Sequence, residues 1–168
     1  MEIKIKGVNN FAFLKEKLFV IIDYPKIGWG YVTANADEAK AYGFGVITSG
    51  CGTKLNFLPI KDIAHTRGFH SYVGCKYKGY KCFVHSYGKN EKKFCVAIPE
   101  DLALTMGIDG YRWGHETPSM DVPLSDLDEI YRHREKLGDF IFDVDPIKPI
   151  YKDGKWLIEP DENGVYVI

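Results

Sequence analysis

Four cysteines and five histidines are the side chains of this 168-residue chain best suited to nucleophilic or metal chemistry. Within residues 70–85, His70, Cys75, Cys82 and His85 have the residue types of a Cys2His2 zinc site. The spacing argues against one. A hairpin turning at Lys78-Gly79 sets Cys75 opposite Cys82 and Tyr72 opposite His85. Side chains alternate along a strand, so the two imidazoles then project from the face opposite the two thiols, and four ligands cannot converge on one ion. Neither a metal nor a cofactor is expected.

Cys51 stands in Ser49-Gly50-Cys51-Gly52-Thr53, a glycine-flanked bend between two apolar runs. A nucleophile can occupy such a bend, and with His65, His70, His85 or His115 as base it would make a Cys/His hydrolase or transferase. Nucleophile elbows, however, lead from a strand into a helix whose N-terminus supplies oxyanion donors and lowers the thiol pKa. Here a strand follows. The favoured reading is therefore a turn cysteine and a chain with no catalytic residues, with the Cys51 enzyme kept as an alternative.

Acidic residues offer a different kind of site. Residues 139–145, Asp-Phe-Ile-Phe-Asp-Val-Asp, alternate as a strand that puts Phe140, Phe142 and Val144 on one face and Asp139, Ile141, Asp143 and Asp145 on the other. One face suits a core; the other suits solvent or a basic partner, and its three carboxylates also have the ligand type for Mg²⁺ or Ca²⁺, though no fourth acidic ligand is fixed nearby. Asp126, Glu129, Asp161 and Glu162 add carboxylates from the same half of the chain. Trp113 falls in a stretch with two glycines and a proline that reads as a loop, where it either lids the core or is expected to serve as an aromatic anchor for a partner.

The elements that must position these groups are mostly strands. Residues 17–24 are apolar and β-branched and stop at Pro25, and Gly28-Trp29-Gly30 leads into a return strand. Further strand-like runs span 44–48, 54–60, 69–77, 80–86 and 93–98, with closing ones at 139–145, 155–159 and 165–168. Helix formers fill 35–42, capped by Asn35 or Asp37 and stopped by Gly43. Pro99, Glu100 and Asp101 open a second short helix. A third is expected at about 125–137, where Ser125 caps, acids fill the first turn, bases the last, and Leu127, Ile130, Tyr131, Arg134 and Leu137 form a stripe that packs on the sheet. The expected fold is one α+β domain over 1–168, a mainly antiparallel sheet with two or three short helices.

The net charge of -1 rules out a globally basic nucleic-acid binder, and nucleic acid is not the expected partner. It hides an asymmetry. Residues 1–98 carry 15 Lys+Arg against 7 Asp+Glu, and residues 99–168 carry 7 against 16. The basic first part, with aromatics interleaved at Lys76-Tyr77-Lys78-Gly79-Tyr80-Lys81, keeps a nucleic-acid-binding module as a further alternative. The strongest apolar run, 18–22, is far short of the ~20 residues of a membrane helix, and no signal peptide opens the chain, so a cytoplasmic protein with no membrane partner is expected.

Ile98-Pro99-Glu100-Asp101-Leu102 before a glycine-containing loop, in an aromatic α+β chain with an acidic C-terminal half, resembles the immunity proteins of bacterial toxin–immunity pairs. The resemblance is one of overall type and carries over no residue roles. It implies an inhibitor that masks the active surface of a basic toxin domain, in particular a nuclease. Asp126, Glu129, Asp139, Asp143, Asp145, Asp161, Glu162 and Trp113 are the residues expected to meet that partner.

Overall fold

The computed structural model describes residues 9–88, 93–108 and 118–159. It is mostly antiparallel sheet with two α-helices among those residues, which agrees in outline with the α+β expectation. None of its described helices is long and apolar enough to cross a membrane. The chain clusters into two compact units.

The first unit comprises Asn9–His70 and Glu135–Val144. Its strands are β1 (Asn9–Leu14), β2 (Lys17–Tyr24), β3 (Gly28–Thr33), β4 (Gly45–Thr48), β5 (Lys54–Pro59) and the opening residues of β6 (Gly68–Tyr77), in the order β6-β1-β2-β3-β5-β4. Short turns join the antiparallel pairs β1/β2, β2/β3 and β4/β5, while β3 pairs antiparallel with β5 across the connection that holds α1 and β4. Helix α1 (Ala36–Tyr42) falls where its caps predict: the Asn35 side chain accepts from the Asp37 and Glu38 amides, and Gly43 ends it at φ 76. Glu38 then reaches back to Lys17 and to the Thr33 hydroxyl, tying the helix to the sheet. Ala12, Phe19, Ile21, Tyr31 and Phe140 form the core of this unit.

The second unit takes Ser71–Arg134 and, as described, residues 145–159. It contains the rest of β6, then β7 (Tyr80–Gly88), β8 (Lys93–Ala97), α2 (Glu100–Thr105), β9 (Ser119–Pro123), β10 (Leu127–Lys136), β11 (Ile147–Lys152) and β12 (Lys155–Trp156), in the order β12-β11-β10-β6-β7-β8-β9. Lys78 and Gly79, at φ 50 and 82, make the two-residue turn between β6 and β7, the positive φ at both positions matching the right-handed twist of the strands. Val73, Cys75, Val84, Phe94, Val96 and Ile130 are central to its core, and Leu102 and Ala103 of α2 pack into it.

The third expected helix is a strand. Residues 127–136 form β10, and Ser125, read as an N-cap, lies in a short 3-10 turn (Leu124–Asp126) that leads into it. Paired by β6 on one edge and β11 on the other, the segment gains interstrand hydrogen bonds that outweigh its local helix preference. Its alternation is masked because both faces are covered. Ile130 enters the core, while Tyr131 on the other face lies over Gly74, where any Cβ would sit 2.7 Å from the ring.

Residues 139–145 are likewise not a regular strand. They run irregularly, with one isolated parallel bridge between Ile141 and Arg67. The closing strand expected at 155–159 is only Lys155–Trp156, and the one expected at 165–168 lies outside the described residues. Strand β11 escapes sequence patterning because Pro146 and Pro149 punctuate it. Pro149 sits where the β10/β11 register shifts, a place that tolerates a residue without an amide donor.

Candidate protein-binding site

The fold redistributes the charge asymmetry of the chain. The first unit holds eight Lys+Arg and eight Asp+Glu, and the described residues of the second hold nine of each. Each unit draws segments from both the basic and the acidic part of the sequence, so whatever the acidic residues do, they do locally.

Asp139 and Asp143 belong to the first unit, and Asp126, Glu129 and Asp145 to the second. Trp113, Asp161 and Glu162, and the candidate base His115, lie outside the described residues. Asp126 is exposed in its 3-10 turn and accepts from the Ser125 hydroxyl at 3.2 Å. Glu129 is half-buried and stands opposite Lys152 across β10/β11. Asp145 is exposed, and its charge supports the protonated form of Arg134 against burial.

The first-unit pair has the more developed setting. Phe140 is buried and meets Trp29 edge-on at 5.5 Å, in space left by Gly68, where a Cβ would lie 2.7 Å from the phenyl ring. The next residue is held through its backbone: the Ile141 amide donates to the Thr66 carbonyl at 2.9 Å, and the Gly68 amide donates to the Ile141 carbonyl at 3.0 Å. With Phe140 inward, Ile141 turns outward and remains 40% exposed. Two positions on, Asp143 accepts from Arg67 Nε at 2.6 Å, and the same guanidinium rests over the Phe13 ring. An exposed apolar residue thus stands between two exposed carboxylates on a backbone pinned at its middle. Alternation in the sequence had placed Asp139, Ile141 and Asp143 together; Arg67, which fixes one of them, lies 76 positions away and gave no local signal.

Cys51 is exposed at the tip of the β4–β5 turn. Its sulfur lies 3.0 Å from Ser49 Oγ and 3.4 Å from Thr53 Oγ1, and these hydroxyls lower the thiol pKa to about 7. Its partners are hydroxyls, not an imidazole. Cys75 and Cys82 face each other as the sequence register predicts, both buried. His70 is held by Asn10 Oδ1 at 2.7 Å. Among the described residues no three His, Cys, Asp or Glu side chains gather as a metal site. Lys76 and Lys81 stand directly opposite each other, with Lys78 in the turn beyond them.

Comparisons add no relative: no protein-family model, curated protein or solved structure matches the chain.

Proposed function

We propose that the chain is a non-catalytic, protein-binding inhibitor of the immunity type, which occupies the basic active surface of a partner such as a toxin nuclease. The observation that carries this reading is the edge formed by Asp139, Ile141 and Asp143. Carboxylates offer a basic groove the charge its nucleic-acid substrate would offer, and an apolar side chain between them gives the contact a desolvated centre. The Phe140 anchor and the two backbone hydrogen bonds of Ile141 order this edge before any partner arrives, so little entropy is lost on docking. Asp126 and Asp145, exposed, and Glu129, half-buried opposite Lys152, belong to the second unit and are not part of this edge. Because charges balance within the first unit, attraction is short-ranged and set by the edge itself.

The test is calorimetric titration of the purified chain against a toxin-domain protein encoded beside its own gene. Binding should weaken as salt rises, and Asp139→Lys with Asp143→Lys should lower affinity at least tenfold, mainly through slower association. Cys51→Ser should bind as the parent does. Unchanged affinity in the double charge reversal, or loss of function in the cysteine variant alone, would overturn the reading.

A further inference from the structure

Cys75 and Cys82 are directly paired across the β6–β7 hairpin and share one core, with relative exposures of 0% and 5%. The inhibitor reading uses neither. The two-residue turn makes Tyr77 and Tyr80 the first hydrogen-bonded pair, so two positions on Cys75 and Cys82 form another, a site where opposed Cα atoms lie about 5.5 Å apart. A disulfide spans Cα separations of about 4.4–6.8 Å, so the pair lies within reach of one, the wider Cβ spacing of a hydrogen-bonded pair being taken up as strain. Both thiols are free, and the Cys82 sulfur also approaches the Tyr80 carbonyl at 3.6 Å.

We propose that Cys75 and Cys82 are a redox-active dithiol that a hydroperoxide converts to a reversible cross-strand disulfide. Cys82 is the member oxidised first, being the less buried of the two. The thiol hydrogen bond between the pair acts in the same direction, lowering the Cys82 pKa and raising that of Cys75. The Cys82 thiolate attacks one peroxide oxygen, the O–O bond breaks, and Cys82 becomes a sulfenic acid as hydroxide leaves and takes up the thiol proton as water. The Cys75 sulfur then attacks the Cys82 sulfur. The S–O bond breaks, the Sγ–Sγ bond forms, and a second water carries away the remaining proton. Two thiols lose two electrons and hydrogen peroxide gains them. Hydrogen peroxide is small enough to reach groups that a bulky disulfide reagent cannot. A bond across a hydrogen-bonded pair is strained, which places it among the easily reduced disulfides.

The experiment uses the full chain carrying Cys51→Ser, so that the exposed thiol does not consume the oxidant. Stoichiometric hydrogen peroxide is added, free thiols are alkylated after unfolding, and a non-reducing tryptic digest is weighed. Lys76, Lys78 and Lys81 lie between the two cysteines, so cleavage there leaves two peptides joined only by the new bond. The expected result is the linked pair, lighter by two hydrogens than its parts, with Cys95 alkylated and dithiothreitol restoring both thiols. In Cys75→Ser, a dimedone adduct should accumulate at Cys82 instead. Full alkylation of Cys75 and Cys82 after peroxide treatment, or a linkage from either to Cys95, would overturn the proposal. Because the digest is read on otherwise native cysteines, the outcome does not depend on how well the Cys75 variant folds, nor on whether the chain inhibits a partner.

Discussion

Arg67 Nε donates to Asp143 Oδ2 at 2.6 Å, joining two residues 76 positions apart, while the same guanidinium covers the Phe13 ring at 4.2 Å. The bond aims one carboxylate of the exposed edge, yet the side chains are 40% and 45% exposed, so solvent screens their attraction. Such a pair stabilises a fold by about 0–1 kcal/mol. Asp143→Asn should therefore lower the unfolding free energy measured in urea by less than about 1 kcal/mol, while slowing association with a basic partner. A loss above about 2 kcal/mol would make the pair a structural support instead of a binding element.

Much of the first unit was legible from residue order because its information is local. The run 17–24, the Gly28–Thr33 return, the Asn35 and Gly43 caps and the glycine-flanked bend around Cys51 each depend on residues within a few positions. The Lys78-Gly79 turn likewise fixed the Cys75/Cys82 register. What failed was set by partners far away in sequence. Strand β10 has the caps and stripe of a helix, but its neighbours in the sheet decide otherwise. The candidate edge followed the same rule: alternation located Ile141 between two aspartates, while the hydrogen bonds that pin it come from Thr66 and Gly68.

Arg132 separates the strand from the expected helix by a single measurement. A helix whose stripe runs through Ile130, Tyr131 and Arg134 would leave Arg132 toward solvent, where removing it costs little. In β10 it is 1% exposed, Nη1 donates to the Ser71 hydroxyl at 3.3 Å, and burial with the neighbouring Arg134 charge lowers its pKa to about 10. Arg132→Ala strands a buried hydroxyl and should cost about 1–3 kcal/mol in chemical denaturation. Lys136→Ala, an exposed control on the same strand, should fall within about 0.5 kcal/mol of the parent.

Gly74 makes room for the Tyr131 ring, since an added Cβ would approach its carbons to 2.7 and 2.8 Å. Alanine normally suits a strand interior better than glycine, so local preference predicts a small gain. Packing predicts the reverse. Gly74→Ala should lose about 1–3 kcal/mol, and Gly74→Ala with Tyr131→Leu should recover part of it, because the smaller side chain yields the space. Additive losses in the double variant, measured by urea unfolding, would show that the ring is not what excludes the methyl group.

The Cys51 thiol offers a pH-dependent readout of its turn. Ser49 is the larger cause of its lowered pKa of about 7, and Thr53 the next. A thiol with that pKa is about half thiolate at pH 7, whereas an ordinary one near 8.5 is only a few per cent ionised. Alkylation of Cys51 by iodoacetamide should therefore rise through a midpoint near pH 7 and level off by about pH 8.5. Ser49→Ala should move the midpoint upward and slow the reaction severalfold at pH 7, with the two rates converging above pH 9.5, where both thiols are ionised. Ser49 Oγ also accepts from the Thr53 amide at 3.0 Å, so its removal loosens the bend as well. Thr53→Val, which keeps that amide bond and removes only a hydroxyl, should give a smaller shift in the same direction. A profile with its midpoint near 8.5 in the parent protein would show that these hydroxyls do not stabilise the thiolate in solution.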